Sequence, residues 1–264
     1  MRKFAAFLAA MVCLAAFAGT ALGEGLTLKE GVLKIGMEVG YPPMEYLAED
    51  GVTYTGFDVD FANELASRLG LKLEIVDTAW DGIFASLDSS RYDVIISAVS
   101  ITPARQENYN LTKPYIANKL VLVTAKDLPI KSPDDLAGYK VAVQTETTAD
   151  EYMKAKMAAG LALNESDYFV YDKIIQCFEE LKLGRADAVL VDSVVAAYYI
   201  GTDKDKFSIV WENDVAEPMG LCLKKGNDAL TQKIEETIDA MYSQGKMTEI
   251  AMKYFGMDTT AGVR

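Results

Sequence analysis

Short apolar segments of strand length alternate with helical segments along most of the chain, and this alternation restricts the possible folds more than any other feature. The first series predicts a strand, a helix, a strand, a short helix and a strand over, in order, Gly31–Val39, Phe57–Leu69, Lys72–Asp77, Trp80–Leu87 and Val94–Ile96. The longer helix is supported by an apolar stripe at i, i+4 and i+8, formed by Phe61, Leu65 and Leu69. This order is typical of a parallel sheet with helices on its faces.

The same rhythm continues after Pro114. The pattern predicts further strands over Leu120–Thr124, Lys140–Gln144, Tyr168–Tyr171, Ala188–Asp192, Phe207–Trp211 and Gly220–Lys224. It predicts further helices over Thr148–Met157, Ile174–Leu183, Ser193–Ile200, Asn227–Ser243 and Lys246–Phe255. Tyr46–Thr55, with Asp50-Gly51 at its centre, predicts a hairpin or long loop. Because no low-complexity or Pro/Ser-rich linker separates the two series, we expect two α/β lobes between which the chain crosses twice.

The first 23 residues have the features of a secretory signal peptide and not of the fold. Arg2 and Lys3 precede an apolar run from Phe4 to Phe17, which is too short to span a bilayer comfortably. Small residues at Ala21 and Gly23 predict cleavage near Gly23. The residues before Cys13 lack the small residue expected directly before a lipid-anchored cysteine. We therefore expect a soluble exported protein in the periplasm, with residues 1–23 as its signal peptide.

Charge and residue usage exclude several classes of function. Cleavage would remove two of the 26 basic residues and none of the 39 acidic ones, bringing the formal net charge from −13 to −15. This charge disfavours nucleic acid and anionic membrane surfaces as partners. The chain has no histidine, which excludes Ser-His-Asp and Cys-His catalysis and the commonest zinc ligand. Cys177 and Cys222 lie in apolar patterns, so we expect two buried thiols, although export makes a disulfide chemically possible.

Asp93–Arg105 (DVIISAVSITPAR) carries the first indication of a binding site. The strand is followed by small and hydroxyl side chains, then by Pro103 and Arg105. A guanidinium grips a carboxylate in a bidentate fork, and hydroxyl and amide groups can take the remaining lone pairs. In α/β sheets ligands bind at the carboxyl ends of the strands, and Val39–Tyr41 and Thr78–Trp80 are two further such ends. The alternative is an ordinary surface loop with a solvated Arg105.

Seven motifs together resemble the periplasmic amino-acid-binding proteins that serve ABC transporters, in the polar amino-acid branch of the solute-binding proteins. The resemblance extends over about Leu33 to Gly256. Its motifs are Tyr41–Tyr46 (YPPMEY), Gly56–Ala66 (GFDVDFANELA), Trp80–Leu87 (WDGIFASL), Tyr92–Arg105 (YDVIISAVSITPAR), Thr147–Met153 (TTADEYM), Arg185–Asp192 (RADAVLVD) and Gly245–Gly256 (GKMTEIAMKYFG).

The resemblance implies the two-lobed α/β fold of periplasmic binding proteins (type II), with a ligand cleft between lobes joined by two crossovers. It implies that lobe 1 comprises residues 24–118 plus 218–264 and that lobe 2 comprises 119–217. Ligand binding would close the cleft by a hinge motion. The implied partners are a free L-amino acid and the permease subunits of an ABC transporter. We also expect a monomer without cofactor or metal.

The resemblance assigns the groups that would hold the ligand α-carboxylate. Arg105 would pair with it, and Ser100, through its N–H, would add a hydrogen bond. The backbone of Ala98 would contribute as well, although many relatives have Ser or Gly at that position. Thr148, with Thr147, would reach the carboxylate from the other lobe. These two threonines open a predicted helix, whose N–H groups and dipole favour an anion.

The resemblance also assigns the ligand α-ammonium and side chain. Asp192, at a strand end, would take the ammonium. Tyr41 and Trp80 would sandwich the ligand side chain, with Glu38 and Gln144 lining its pocket. From the residues alone, Asp192 could instead cap the following helix, and the two aromatic residues could belong to the core.

The acids expected in the cleft bear on the choice of ligand. Glu38, Asp192 and the nearby Glu146 would make the cleft acidic, which disfavours glutamate and aspartate. A guanidinium would also stack well between Tyr41 and Trp80. We therefore expect a basic amino acid, arginine or lysine, with a polar neutral one such as glutamine as the alternative. Glu146, where relatives commonly have Gly, has no assigned role.

Two other classes of function remain as alternatives. A few relatives with this fold are dehydratases of cyclic carboxylic acids, and Glu38 or Glu146 could serve as the general acid that this chemistry needs. Such an enzyme would not require a complete clamp for an amino-acid zwitterion, so we expect a binding protein and no catalytic residues. The second alternative is a ligand-sensing domain. Since no transmembrane segment follows the signal, we expect a freely diffusing transporter component.

Overall fold

The computed structural model describes residues 25–263, and the signal peptide expected over residues 1–23 lies outside them. The strands of the described part are β1 (Val32–Met37), β2 (Tyr46–Leu47), β3 (Tyr54–Thr55), β4 (Lys72–Asp77), β5 (Val94–Ile95), β6 (Tyr109–Leu111), β7 (Leu120–Ala125), β8 (Val141–Gln144), β9 (Tyr168–Tyr171), β10 (Ala188–Asp192), β11 (Phe207–Glu212) and β12 (Cys222–Lys224). The helices are α1 (Phe57–Arg68), α2 (Ile83–Asp88), α3 (Pro103–Asn108), α4 (Thr148–Ala158), α5 (Ile174–Lys182), α6 (Ser193–Thr202), α7 (Asp228–Ser243) and α8 (Lys246–Phe255).

Five strands form a first sheet in the order β4-β1-β5-β12-β6. β1 lies between β4 and β5 and is parallel to both. Its residues are buried except for the half-buried Lys34, as expected for a parallel strand covered by helices on both faces. β12 is antiparallel to β5 and to β6. The carboxyl ends of β1, β4 and β5 therefore meet at one edge of this sheet.

A second sheet has the order β11-β7-β10-β8-β9. β8 is parallel to β9 and β10, whereas β7 is antiparallel to β10 and β11. Every residue of β8 and β10 is buried. The short strands β2 and β3 pair as a separate hairpin, in the segment where a hairpin or long loop was expected.

The chain crosses between the two sheets twice. Residues 112–119 lead from the first sheet to the second, and residues 213–221 lead back. The two segments lie side by side, and the Glu217 N–H donates to the Asn118 carbonyl oxygen at 2.9 Å. This confirms the expectation of two α/β units without an intervening linker. The residue boundaries expected for the two lobes stay a prediction.

Helices α1, α2, α3 and α7 pack with the first sheet, and α8 packs on α1 and α7. Helices α4, α5 and α6 pack with the second sheet. We call these assemblies the first and second units. The predicted apolar stripe of α1 is buried, as are Leu230, Ile234, Ile238 and Met241 on one face of α7. Cys177 and Cys222 are buried free thiols, as expected. Within residues 25–263, no helix combines the length and the apolar character needed to cross a bilayer.

The sheets differ from the sequence prediction in two respects. Both sheets are mixed, whereas the β-α-β-α-β order predicted a parallel sheet. In the first sheet, β12 enters as the chain returns and runs antiparallel to its neighbours. In the second sheet, β7 runs antiparallel to β10 and β11. The pattern also missed β6. This strand has only three residues, Tyr109–Leu111, with Asn110 at its centre, and asparagine is depleted in strands.

Candidate ligand-binding site

A pocket lined by residues of both units lies between them. The pocket brings together all ten residues that the sequence suggested for the ligand site, and it adds Ser97. Its lining is formed by Glu38, Tyr41, Trp80, Ser97, Ala98, Ser100, Arg105, Gln144, Thr147, Thr148 and Asp192.

Strand ends position most of these side chains. Glu38 directly follows β1, and Ser97 lies two residues beyond β5. From the second sheet, Gln144 and Asp192 are the last residues of β8 and β10. The pocket is therefore built where the carboxyl ends of strands from two sheets face each other, the usual ligand position in α/β folds.

Arg105 lies in the first turn of α3, where its N–H donates to the capping hydroxyl of Thr102 at 3.2 Å. Its guanidinium donates Nη1–H to the Ser100 carbonyl oxygen at 3.0 Å, and Cζ lies 5.5 Å from the Trp80 ring centroid and 5.1 Å from that of Phe84. Burial lowers the pKa of Arg105. In the described part of the chain, no acidic side chain forms an ion pair with it. A desolvated guanidinium in this state favours an anionic ligand group.

Asp192 is buried at the end of β10. Tyr41 Oη donates to Oδ2 at 2.5 Å, and Asn118 Nδ2 donates to Oδ1 at 2.5 Å. Burial raises the pKa of Asp192, while these hydrogen bonds and the charge of Arg105 lower it. Within residues 25–263 its side chain makes no capping hydrogen bond to α6, so the capping alternative is wrong. Asn118 takes that role, since its Oδ1 accepts the Ser193 N–H at 3.1 Å.

Glu38 and Gln144 face each other across the pocket from different units. Gln144 Nε2 donates to Glu38 Oε1 at 3.0 Å, to Oε2 at 2.8 Å and to the Asp172 carbonyl oxygen at 3.1 Å. Gln144 Oε1 is buried and has no hydrogen-bond partner among the described residues. Burial raises the pKa of Glu38 to about 7, although the bond from Gln144 and the charge of Lys173 lower it. This end of the pocket thus presents hydrogen-bond acceptors to a ligand.

Residues 33–257 match the model of the bacterial extracellular solute-binding proteins, family 3. The chain belongs to this family. The L-cystine-binding protein TcyJ of Escherichia coli strain K12 is 34% identical to this solute-binding protein over 242 residues, which cover 90% of this chain and 88% of the relative.

Two solved structures are similar over most of this solute-binding protein. An ancestral arginine-binding protein bound to arginine is 34% identical, with a TM-score of 0.80, over 86% of this chain and 99% of that one. An ancestral amino acid-binding protein, a precursor of cyclohexadienyl dehydratase, is 32% identical, with a TM-score of 0.78, over 85% of this chain and 96% of that one. The family resemblance inferred from the seven motifs and the expected type II fold are confirmed.

Buried acidic side chains hold the Ser97–Ala98 segment of this solute-binding protein through hydrogen bonds. Ala98 has a left-handed conformation, with φ 48°, and its N–H donates to Asp58 Oδ2 at 2.9 Å. The Ser97 hydroxyl donates to Glu45 Oε1 at 2.6 Å and accepts the Glu38 N–H at 3.0 Å. The N–H of Ala98 is thus engaged, so its carbonyl oxygen is the backbone group left for a ligand.

Tyr41 and Trp80 both line the pocket, and each also holds a protein partner. Tyr41 donates to Asp192, as described above. Trp80 Nε1 donates to the Glu146 carbonyl oxygen at 3.1 Å, which links the two units. One face of the indole lies near Arg105, and Phe84 packs edge-on against it, with centroids 5.6 Å apart. The sandwich of a ligand side chain between the two rings stays a prediction.

The start of α4 contributes the two threonines. Thr147 caps the helix by accepting the Asp150 N–H at 3.3 Å, and it donates to the Gln144 carbonyl oxygen at 2.8 Å. Thr148 is the first residue of α4, where N–H groups and the helix dipole favour an anion. Glu146, which had no assigned role, is exposed, with φ 55°, and its N–H donates to Asp150 Oδ2 at 2.8 Å.

Sequence reasoning missed the residues that support the pocket from behind. Glu45 and Asp58 are fully buried, and burial is the main cause that raises the pKa of both carboxyl groups. Asp58 accepts hydrogen bonds from Ala98 and from the Tyr115 hydroxyl, at 2.8 Å to its Oδ1. Neither these acids nor Asn118 could be recognised by spacing, because their partners lie far away in the chain. Within residues 25–263 no cluster of Cys, Asp or Glu is arranged to hold a metal.

Proposed function

We propose that this solute-binding protein binds one free amino acid in the cleft between its two units. The observation that carries the proposal is the pair of opposite charges at one pocket. Arg105 of the first unit and Asp192 of the second both line it, and Arg105 has no acidic partner in the described part of the chain. A zwitterion supplies both missing counter-charges, and buried charges require such pairing.

Each end of the zwitterion has a set of proposed contacts. Arg105 pairs with the α-carboxylate, supported by the Ser100 N–H and by Thr148 with Thr147 at the start of α4. Asp192 binds the α-ammonium, and the Ala98 carbonyl oxygen is a second acceptor for it. Because these contacts come from both units, a ligand that joins them favours the closed cleft over an open one.

The opposite end of the pocket favours a ligand side chain rich in hydrogen-bond donors. Glu38 and the unpartnered Gln144 Oε1 are both acceptors at this end. An ammonium or guanidinium group satisfies them, whereas a side chain with a carboxylate and no accompanying cation would leave buried acids facing each other. Arginine, lysine and L-cystine all carry a second cationic nitrogen. The similar proteins named above as cystine-binding and arginine-binding agree with this class of ligand.

We place this binding step outside the cytoplasm. Residues 1–23 act as the export signal, lobe 1 comprises 24–118 plus 218–264, and lobe 2 comprises 119–217. The closed, loaded monomer delivers its amino acid to the permease subunits of an ABC importer. Membership of the bacterial extracellular solute-binding proteins supports this assignment.

A dehydratase is the second candidate, favoured by one observation. Glu38 lies in the pocket with a pKa of about 7, a value suited to a general acid. One structural neighbour is itself a precursor of a dehydratase. The Arg105–Asp192 pair argues for the amino acid instead, since a cyclic carboxylic acid without an ammonium group leaves Asp192 unpaired. A spectrophotometric dehydratase assay with prephenate separates the candidates, because a binding protein yields no turnover.

The binding proposal is tested by thermal shift and calorimetry with a panel of free amino acids. L-arginine, L-lysine and L-cystine are the positive arms, L-glutamine is the neutral arm, and L-glutamate is the negative arm. Binding in any positive arm and none to glutamate supports the proposal. A strong response to glutamate with none to arginine, lysine or cystine contradicts it.

A further inference from the structure

Lys173, between β9 and α5 of the second unit, lies across the cleft against Gly40 of the first. Its Nζ is 3.7 Å from the position that a Cβ atom would occupy on Gly40, and its Cδ is 3.9 Å from it. Gly40 stands between two residues of the pocket lining, Glu38 and Tyr41. Lys173 is exposed and does not belong to the pocket lining, so its ammonium lies at the rim beside the end formed by Glu38 and Gln144, at a point where Gly40 has no side chain to block it.

The charge of Lys173 acts on this end of the pocket. It lowers the pKa of Glu38, against the effects of burial and of the acids Asp77 and Asp81. Among residues 25–263 no carboxylate forms an ion pair with Lys173. Its segment is also tied to the pocket, because Gln144 donates to the carbonyl oxygen of the preceding Asp172. The far end of the pocket thus has an acid with an unpartnered acceptor beside it, and an exposed cation without an ion pair lies at its rim.

We propose that Glu38, Gln144 and Lys173 form a subsite for a second zwitterion, so that the ligand is a diamino dicarboxylic acid of the L-cystine type. The distal ammonium donates to Glu38 and to Gln144 Oε1, and the distal carboxylate accepts from Lys173. The inference rests on the proposed function, in which Arg105 and Asp192 hold the other end. It narrows the ligand class from amino acids with a second cation to those with a second carboxylate as well.

Lys173 affects the candidate ligands in opposite directions. Its ammonium attracts the distal carboxylate of cystine and repels the guanidinium of arginine. A purely solvated lysine would affect neither. When the charge of Lys173 is removed, the direction in which each ligand's affinity changes therefore shows whether Lys173 contacts the distal carboxylate.

The test compares two ligands, with and without the distal carboxylate, on the wild type and on Lys173→Met, and their affinities are measured by calorimetry. The two ligands are L-cystine and the mixed disulfide of L-cysteine with cysteamine, which lacks only that carboxylate. In the wild type we expect cystine to bind about five- to tenfold more tightly than the mixed disulfide, and in Lys173→Met we expect this preference to disappear. We also expect L-arginine to bind Lys173→Met as tightly as, or more tightly than, the wild type. Lys126→Met, beyond the end of β7 opposite to the cleft, is the matched control and should change nothing.

The outcomes separate this inference from the proposed function. If the wild type binds arginine or lysine but not cystine, the distal subsite is wrong and the binding proposal stands. If Lys173→Met weakens cystine and the mixed disulfide equally, Lys173 does not contact the distal carboxylate, and the inference is again overturned. If no amino acid of the panel binds the wild type, the proposed function itself fails.

Discussion

Gln144 of the second unit donates its amide hydrogens to both carboxylate oxygens of Glu38 of the first, at 3.0 and 2.8 Å. This contact spans the cleft, so the side chain that fixes the orientation of Glu38 also joins the two units. Glu38 is buried, and its pKa is raised to about 7. The protonation state of this acid therefore changes near neutral pH, and ligand binding should depend on it.

We expect the affinity for L-arginine to increase as the pH is raised from about 6 to about 8. Below a pKa of about 7 the Glu38 carboxyl is mostly protonated in the free protein. A bound guanidinium favours the carboxylate, so binding must then release a proton, which weakens affinity by up to about tenfold per pH unit. Calorimetry in buffers of different ionisation enthalpy measures both the affinity and the proton release. Glu38→Gln should bind more weakly with a flat pH profile, and a flat profile in the wild type would contradict the role of Glu38.

Replacing Arg105 with methionine should weaken amino-acid binding by about 10²- to 10³-fold, because the ligand carboxylate is left buried without its cation at a cost of about 3–5 kcal/mol. Methionine retains much of the apolar stem of the arginine side chain and removes the guanidinium, which lies over the Trp80 and Phe84 rings. The matched control is Arg185→Met, since Arg185 is exposed and pairs with Glu180 on the surface. Calorimetry should find the control unchanged. Normal binding by Arg105→Met would exclude its assignment to the carboxylate.

The ligand-free protein should become less stable as the pH is raised from about 5 to about 8. Glu45 and Asp58 have raised pKa values in the fold because they are buried, so the folded chain keeps protons that the unfolded chain releases. That stabilisation is complete below the unfolded pKa values of about 4 and is lost as the pH rises through the folded ones. Acids with lowered pKa, such as Asp50, titrate below this window.

Thermal unfolding by circular dichroism at constant ionic strength measures this slope. Glu45→Gln should fold and reduce it, since its amide can still accept from Ser97 while it can no longer ionise. A melting temperature that rises steadily over the same window would show that the buried acids do not hold their protons.

Asn118→Ala should reduce both stability and affinity. The amide holds Asp192 through Nδ2 and caps α6 by accepting the Ser193 N–H. Losing a cap costs about 1 kcal/mol of stability, and loss of the bond to Asp192 should weaken binding by about fivefold to tenfold. Asn164→Ala is the control, because Asn164 precedes a short surface turn and bonds only to the nearby Asp167 in the described structure. If both variants bind equally well, Asn118 does not position Asp192.

The sequence anticipated those parts of the site that local pattern controls. In the sequence, a strand end is marked by the change from β-branched to polar residues. This change alone predicts that Gln144 and Asp192 lie at the same edge of one sheet. The partners of these residues were not visible. The contacts of Asn118 with Asp192 and of Asp58 with Ala98 depend on how the units and loops meet in space, which no periodicity encodes.

Strand β12 lies in the middle of the first sheet, between β5 and β6, although the whole second sheet precedes it in the chain. During synthesis β5 can pair with β1, but β6 has no partner strand until Cys222–Lys224 has been made, whereas all strands of the second sheet are by then complete. The sheet of the first unit therefore stays incomplete for most of translation, and β12 is the strand that completes it. A chain built in this order reaches its binding-competent form only after nearly all of it has been made.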